Sequence, residues 1–353
     1  MKNYDGIALF SGGLDSILAA RLLMEQGRSI KCLHFFSPFF GHPGRVEHWQ
    51  EVYGLDITAV DASAAFVDML RRGPAYGFGS AMNPCVDCKI LMMRMARECM
   101  EEYGAKFLVS GEVLGQRPMS QRRDTLNVIR RDAEVRDILL RPLCAKLLDP
   151  TAAEESGLVD RSRLLGLNGR GRKEQLALAE HFGIAEIPTP GGGCKLTEKE
   201  NTRRFWPVLS RLSEPDVNDF RLADVGRQFW YGDYWLTIGR HKFDNEIYAS
   251  LLRENDLHFK LAGFPGPIAL GRSSRPWDSD AVQKAASLTA SYSPKACKAH
   301  EEGQRVFVRV TQGGQSSLVE VSPCRESEFR EPTWEDARDA LHALRRPGGE
   351  HNE

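Results

Sequence analysis

The chain has 353 residues, more than one compact core usually holds, which predicts two domains. Hydrophobic residues make up 42% and charged residues 27%, and a net charge of −1 gives the whole molecule no electrostatic attraction for nucleic acid, so any such attraction must come from a local patch. No apolar run reaches the roughly 18 residues that a membrane-spanning helix needs, and the N-terminus lacks a secretory pattern, so we expect a cytoplasmic protein without membrane contact.

Residues 1–204 alternate between short apolar runs and amphipathic stretches. The runs GIALF, IKCLHFF, DITAVD, AKFLVSG and RDILLRPL predict strands, and apolar residues at helical spacing predict helices over residues 14–26, 63–72, 86–103 and 173–183. This alternation predicts an α/β domain with a doubly wound parallel sheet. Because such sheets bind ligands beyond the carboxyl ends of their strands, we expect the functional site in the loops after residues 10, 36 and 110.

Beyond about residue 205 the pattern changes. The stretches YWLTIGR, FKLAGF, PIALGR, QRVFVRVT and SSLVEVSP predict closely paired strands, and helices are expected near residues 278–291 and 333–346. We therefore expect residues 205–353 to form a smaller C-terminal α+β domain, to which the sequence assigns no role.

The motif SGGLDS follows the first predicted strand and leads into a helix. Gly12 and Gly13 allow a tight turn whose N–H groups can face one anion near the positive end of the helix, and Ser11 and Ser16 add hydroxyl donors. Asp15 would repel phosphate unless a metal ion lies between them, so its presence indicates a Mg²⁺–polyphosphate ligand. The alternative is a capped helix start without a ligand.

Eight cysteines occur in a chain without a secretory pattern, which argues against a disulfide framework. Cys85 and Cys88, in NPCVDCK, lie where a helix is expected to begin, and a helix N-terminus favours thiolate. Cys194, in TPGGGCKLT, is a candidate third partner, or else a small buried residue. The residues alone leave four options open: a structural zinc site, a thioredoxin-like redox pair, persulfide chemistry, and a [4Fe–4S] cluster with three protein thiolates.

SGGLDS resembles the pyrophosphate loop of the ATP-pyrophosphatase (PP-loop) superfamily, whose fold is adenine nucleotide alpha-hydrolase-like. Together with NPCVDCK, SGEVLGQRPMSQ, LLRPL and PGGGCKLT, in this order, it is similar to the tRNA sulfurtransferase branch of that superfamily, which includes 4-thiouridine synthetase-like and 2-thiouridylase-like proteins. The resemblance covers roughly residues 5–200. It departs from a conventional 4-thiouridine synthetase, which carries an RNA-binding domain before the loop, and the 2-thiouridylase C-terminal barrel is not evident.

The resemblance implies an enzyme that uses ATP to adenylate a carbonyl oxygen of a nucleobase and releases pyrophosphate. In the family pattern the β,γ-phosphates and Mg²⁺ are bound by the loop, here Ser11, Gly12, Gly13, Asp15 and Ser16. The backbone near Phe36 would contact adenine, and Gly111 and Gln116 would line the ribose and α-phosphate. Glu112 has two alternative roles of equal weight: it is either a second contact to the metal or the ribose, or a partner in a salt bridge.

Several branches of this group bind a [4Fe–4S] cluster through a CxxC pair and a distant cysteine. Cys85, Cys88 and Cys194 match that pattern, so the resemblance favours a cluster that leaves one iron open for sulfide. A sulfur donor, either sulfide or a persulfide-carrying protein, is then required. Direct persulfide catalysis remains the alternative, and in both cases Asp15, Cys85 and Cys194 are the expected catalytic residues.

The substrate implied by the resemblance is tRNA. Many arginines lie between residues 117 and 173, just after the expected nucleotide site, where an RNA backbone would pass. Two other functions remain open: a PP-loop enzyme of the nitrogen-transfer or amide-forming type, and a non-catalytic RNA- or nucleotide-binding protein.

Overall fold

The structure, a computed structural model, describes residues 3–189 and 193–344. The chain divides into two compact units, the first ending at Thr197 and the second beginning at Glu198. Within the described ranges, no helix is both long and apolar enough to cross a membrane.

The first unit contains the five strands expected from the sequence: β1 (Gly6–Leu9), β2 (Ile30–Phe36), β3 (Asp56–Asp61), β4 (Phe107–Ser110) and β5 (Leu139–Leu140). Its helices are α1 (Leu14–Met24), α2 (Val46–Tyr53), α3 (Ser63–Arg72), α4 (Cys85–Glu98), α5 (Met100–Tyr103), α6 (Arg123–Asp132), α7 (Ala152–Glu155) and α8 (Lys173–His181). The helix predicted over 86–103 is therefore two helices, separated at Cys99. The sequence prediction did not include α2, α6 or α7.

The strands form one parallel sheet in the order β3-β2-β1-β4-β5. Alternate residues of β1 enter different cores, since Ala8 packs in a cluster with α1 and Ile7 in a cluster with α4. Helices therefore cover both faces of the sheet, and the predicted doubly wound α/β fold is confirmed. The strand order reverses between β1 and β4, the place where such sheets bind ligands.

The second unit is built on a six-stranded antiparallel sheet in the order β11-β10-β8-β9-β7-β6. Its strands are β6 (Arg227–Tyr231), β7 (Tyr234–Ile238), β8 (Leu257–Ala262), β9 (Ile268–Arg272), β10 (Val306–Gln312) and β11 (Gln315–Val321). Its helices are α9 (Lys199–Arg211), α10 (Val217–Ala223), α11 (Lys242–Leu251), α12 (Ser279–Ala290), α13 (Pro294–Glu301) and α14 (Trp334–Leu344). The expected α+β character of this part of the chain is confirmed.

Aromatic side chains of the second unit serve its core. The rings of Trp230 and Trp235 stack at 5.3 Å between centroids, and both side chains are buried, as is Tyr234. These aromatics therefore pack the protein interior, which leaves them unavailable for stacking on nucleobases.

Candidate functional site

A cleft of about 260 Å³ opens at the carboxyl ends of β1 and β4. It is lined by the turn after β1, by the segment after β4 and by side chains from α4. Among the expected nucleotide-binding residues, the structure brings together at this cleft Ser11, Gly13, Asp15, Ser16, Gly111 and Gln116.

Gly12 adopts a left-handed conformation in the SGGLDS turn, with φ of +78°. A Cβ atom at this position would lie 2.7 Å from Cζ2 of Trp49, which is buried on α2. Both the backbone angle and the indole ring therefore require glycine here. The turn ends at Gly13, after which α1 begins.

The turn holds itself together through two serines. The Ser16 hydroxyl donates to the Gly13 carbonyl at 2.7 Å, and the Ser11 N–H and Gly13 N–H groups lie 3.3 Å from the Ser16 and Ser11 hydroxyl oxygens. By contrast, the N–H groups of Gly12, Leu14 and Asp15 donate to no acceptor within the described chain. Three unpaired donors at the start of a helix form an arrangement that can bind a polyphosphate.

Asp15 is oriented by the segment that follows β4. The Gln116 Nε2 group donates to Asp15 Oδ2 at 3.0 Å. A Cβ atom on Gly111 would lie 2.6 Å from the Asp15 carbonyl carbon, so β4 and α1 approach each other as closely as a glycine allows. Asp15 thus presents a carboxylate to the cleft in a fixed position, as a Mg²⁺ ligand requires.

Glu112 is a buried carboxylate at the cleft. Its Oε2 accepts a hydrogen bond from Arg141 Nε at 3.0 Å, and its Oε1 lies 3.8 Å from Lys89 Nζ. Burial acts to raise the pKa of Glu112, but Lys89 and Arg141 outweigh it and hold the pKa below its ordinary value. The salt bridge considered for Glu112 is present, and its metal or ribose contact stays a prediction.

His34, at the edge of the cleft, is buried and fully hydrogen-bonded. Its Nδ1 lies 2.9 Å from the Phe10 carbonyl oxygen, and its Nε2 accepts from the His42 N–H at 2.9 Å. The second bond requires an unprotonated Nε2, so Nδ1 carries the proton and the ring is neutral. Burial lowers the pKa of His34, which favours the same neutral form.

Phe36 ends β2 next to the cleft, but it is not among the residues that line it. Its carbonyl oxygen accepts a hydrogen bond from the Ala62 N–H at 2.9 Å, and the lining residues on this side are Phe35, Phe40 and Gly41. The adenine contact of Phe36 stays a prediction.

The cysteines of the CxxC pair lie in the first turn of α4, where Asn83 Nδ2 donates to the Cys85 sulfur at 3.1 Å. The pKa of Cys88 is raised by burial and, further, by the neighbouring charges of Cys194 and Cys85. The pKa of Cys88 is thus raised, and not lowered as the helix N-terminus predicts, because burial disfavours the thiolate. Cys194 therefore lies near enough to Cys88 to contribute to the shift of its pKa.

Cys194 belongs to a segment that borders the cleft. Its neighbour Gly193 lines the cleft, and the Lys195 N–H donates to the Phe39 carbonyl at 2.8 Å. The preceding glycines of the motif, with Pro190, lie outside the described residues. The SGGLDS turn and the Cys194 segment therefore border the same cleft.

Thiol sulfurs that interact with one another are the donors that zinc and iron–sulfur centres use. Cys85, Cys88 and Cys194 fit such a centre by donor type. Within residues 3–189 and 193–344, however, no group of three or more His, Cys, Asp or Glu side chains is arranged as a metal site. The assignment of Cys85, Cys88 and Cys194 to a metal or cluster centre is therefore supported only by the fact that all three carry thiols.

The basic segment between residues 117 and 173 divides into two groups of cations. Several form ion pairs with carboxylates of the protein itself: Arg131, Arg141, Arg161 and Arg163. Others are exposed, and their side chains make no hydrogen bond or ion pair within the described chain: Arg117, Arg136, Lys146, Arg170 and Lys173. The Gly169 N–H donates to the Leu114 carbonyl at 2.8 Å, so Arg170 lies beside the segment that carries Gln116.

Lys89 and Trp49 are site residues that sequence reasoning missed. Lys89 lies four residues after Cys85, one helical turn along the same face of α4, so its position in NPCVDCK could have revealed it. Trp49 gave no comparable signal, because its contact with Gly12 depends on how α2 packs.

Residues 2–147 match the family model described as thiamine biosynthesis protein (ThiI). Among similar curated proteins, a probable tRNA sulfurtransferase of Lysinibacillus sphaericus (strain C3-41) is 29% identical over 170 residues, which are 46% of this chain and 40% of the relative. A probable tRNA sulfurtransferase of Thermococcus kodakarensis is 30% identical over 116 residues, 31% of this chain and 30% of the relative. The chain thus spans well under half the length of these relatives.

Among solved structures, the crystal structure of a predicted subunit of tRNA methyltransferase from Methanocaldococcus jannaschii is 16% identical, over 39% of this chain and 68% of that one. Its TM-score is 0.28, and we draw nothing from this likeness. The family match coincides with the parallel sheet, the SGGLDS turn and the segment after β4. Residues 2–147, which carry the parallel sheet and the SGGLDS turn, are therefore the part of the chain that is similar to the ThiI family.

Proposed function

We propose that the chain is an ATP-dependent tRNA sulfurtransferase, which replaces a carbonyl oxygen of a nucleobase by sulfur and releases AMP and pyrophosphate. The observation that carries this proposal is that the SGGLDS turn and Gly193, the neighbour of Cys194, border one cleft. The ThiI family match and the names of the curated relatives support it.

The first step is activation of the base. The unpaired N–H groups of the SGGLDS turn would hold the β,γ-phosphates of ATP, and Asp15 would hold the accompanying Mg²⁺. Lys89 and Arg117, which line the cleft, would offset the phosphate charge. The carbonyl oxygen of the base then attacks the α-phosphorus, and the bond to pyrophosphate breaks.

The second step forms the carbon–sulfur bond. Sulfide sulfur attacks the activated carbon, and AMP leaves with the former carbonyl oxygen. A [4Fe–4S] cluster, when bound by Cys85, Cys88 and Cys194, would supply an open iron for the sulfide. Because the thiol of Cys88 has a raised pKa, binding of such a centre must displace its proton.

Sulfur transfer is tested by incubating the protein with ATP, Mg²⁺, sulfide and unmodified tRNA, and by measuring both pyrophosphate and thionucleosides by mass spectrometry. We expect one thionucleoside and about one pyrophosphate for each thionucleoside formed, since each activation consumes one ATP. Pyrophosphate release without any thionucleoside would favour a nitrogen-transferring or amide-forming enzyme, and release of neither product would favour a non-catalytic binding protein.

Cysteine ligation is tested by iron and acid-labile sulfide analysis of anaerobically purified protein. We expect Cys194→Ala to lower both contents and to reduce sulfur transfer at least about 100-fold. The matched control is Cys99→Ala, a half-buried cysteine at the other end of α4, which should keep both. Zinc without iron in the wild type would contradict the cluster, and full iron content in Cys194→Ala would contradict the three-cysteine assignment. Sulfur transfer without any bound iron would favour persulfide chemistry.

A further inference from the structure

The second unit contains a pocket of about 400 Å³ whose lining is strongly positive. Four of its residues carry basic side chains: Arg227, Arg240, His241 and Lys242. We propose that this pocket binds the ribose–phosphate backbone of RNA. The proposal rests on the proposed function in one respect, namely that RNA is the substrate.

Acidic side chains are absent from the described lining of the pocket, and Glu200, which interacts electrostatically with Arg240, lies outside that lining. The exposed side chains of Arg240 and Lys242 make no hydrogen bond or ion pair within the described chain. The nearby carboxylate of Asp244 is buried and accepts the N–H groups of Arg240 at 2.6 Å and His241 at 3.3 Å. The cations are therefore available to an anionic ligand.

Two helices begin at the pocket. The α11 helix starts at Lys242, and α13 starts at Pro294, and both of these residues line the pocket. The start of α13 is held in place because the Ser293 hydroxyl donates to the Pro265 carbonyl at 2.6 Å and accepts from the Ala296 N–H at 3.2 Å. The positive end of α13 thus adds to the field of the basic side chains, whereas the start of α11 already faces the Asp244 carboxylate.

Arg227 is held rigidly in this wall. Its guanidinium carbon lies 4.6 Å from the centroid of the Tyr292 ring, and its Nη1 donates to the Gly239 carbonyl at 3.3 Å. Arg325 approaches the same ring at 3.7 Å. An arginine fixed by an aromatic ring loses little freedom when it binds phosphate, which favours affinity.

The size and polarity of the pocket favour a ribose–phosphate unit over a lone phosphate ion. Its volume lies within the range of roughly 300–1,000 Å³ typical of sites for organic ligands. The amide oxygen of Asn245, another lining residue, is buried and has no hydrogen-bond partner within the described chain. A basic wall around a volume of this size suits an anionic ligand larger than a phosphate ion, as an RNA backbone is.

The test compares two double variants of the full chain. Arg240→Ser with Lys242→Ser removes two cations from the pocket, and Lys260→Ser with Arg309→Ser removes two exposed cations paired across β8 and β10. Binding of unmodified tRNA, without ATP, is measured by fluorescence anisotropy over a range of salt concentrations. We expect the pocket variant to bind at least about 10-fold more weakly, with a salt slope smaller by about one to two, and the control to stay within about 2-fold of wild type.

Equal tRNA affinities of the two double variants would overturn the proposal. Titration with ATP provides a second measurement, and both variants should keep wild-type ATP affinity, which also shows that they fold. If the pocket variant loses ATP affinity but keeps its tRNA affinity, the pocket binds free nucleotide and the proposal is wrong. Inorganic phosphate that binds the wild type and not the pocket variant at low millimolar concentration, without displacing tRNA, would assign the pocket to a phosphate ion and overturn the proposal.

The experiments distinguish failure of this inference from failure of the proposed function. If sulfur transfer is wrong, no thionucleoside forms, while the pocket variant still loses tRNA affinity. If the inference is wrong, the pocket variant binds and thiolates tRNA as the wild type does.

Discussion

Trp49 links two of the residues that shape the candidate nucleotide cleft at the carboxyl ends of β1 and β4. Its ring leaves no room for a Cβ atom on Gly12, and it packs edge-on against His34 at 4.8 Å between centroids. His34 in turn bonds to the Phe10 carbonyl at the start of the SGGLDS turn. One buried indole thus helps to fix both the glycine that makes the turn and the histidine that supports it.

The state of His34 predicts part of the pH dependence of stability. Its pKa in the folded protein lies below the ordinary value of about 6.5, because burial disfavours the charged ring. The unfolded chain therefore binds the proton first as pH falls, so this contribution is complete above about pH 6.5 and is lost as the pH falls from there toward the folded pKa.

We expect His34→Gln to be less stable than wild type at pH 7.5 and to lose less stability between pH 7 and pH 5. The difference in slope should reach at most about 1.4 kcal/mol per pH unit, the limit for one proton. Urea unfolding at several pH values gives the free energies. Parallel curves for the two proteins would contradict a neutral, buried His34.

At the scale of elements, the contact between β4 and α1 predicts the effect of Gly111→Ala. The added Cβ would lie 2.6 Å from the Asp15 carbonyl carbon and 2.7 Å from the Ser16 nitrogen, and backbone atoms cannot rotate away. We expect a loss of about 1–3 kcal/mol in unfolding free energy and at least about 10-fold weaker ATP binding, because the start of α1 must move. Denaturant unfolding and calorimetric ATP titration measure both quantities.

Gly166→Ala is the matched control for this substitution. Its nearest contact would be 3.5 Å, to the Lys146 side chain, which is an ordinary van der Waals distance. We expect it to leave ATP affinity unchanged. Equal effects of the two substitutions would mean that the close approach of β4 to α1 does not position the SGGLDS turn.

The sequence predicted the elements that are rich in apolar residues and missed α2 and α6, which bury only two residues each. The strands of the parallel sheet are nearly continuous apolar runs because both faces are covered, as in IKCLHFF for β2. The α2 helix buries only Trp49 and Tyr53, so its sequence contains too few apolar residues to mark it as a helix. The SGGLDS turn is contiguous and could be predicted, whereas the Lys89–Glu112–Arg141 group depends on long-range packing.

At the scale of the whole molecule, the two proposed functions, sulfur transfer and binding of the RNA backbone, lie in units that have separate hydrophobic cores. The two clusters around the parallel sheet lie within the first unit, and the cluster around the antiparallel sheet lies within the second. Each unit thus has a core of its own, and each carries a candidate site: the nucleotide cleft in the first and the basic pocket in the second.

Because the net charge is −1, the proposed RNA binding must depend on where the cations lie rather than on how many there are. Arg170→Glu and Lys106→Glu each change the net charge by two, from −1 to −3. Arg170 lies beside the segment that carries Gln116, whereas Lys106 directly precedes β4, at the edge of the sheet opposite the cleft.

We expect Arg170→Glu to lower tRNA affinity about 5- to 10-fold at low salt, because it places a carboxylate where the RNA backbone would approach the cleft. Lys106→Glu should change the affinity less than about 2-fold. Anisotropy titrations at 50 mM and 200 mM salt measure both variants, and the difference between them should shrink at the higher concentration as screening increases. Equal losses in the two variants would show that net charge, and not the segment beside the cleft, controls the interaction with RNA.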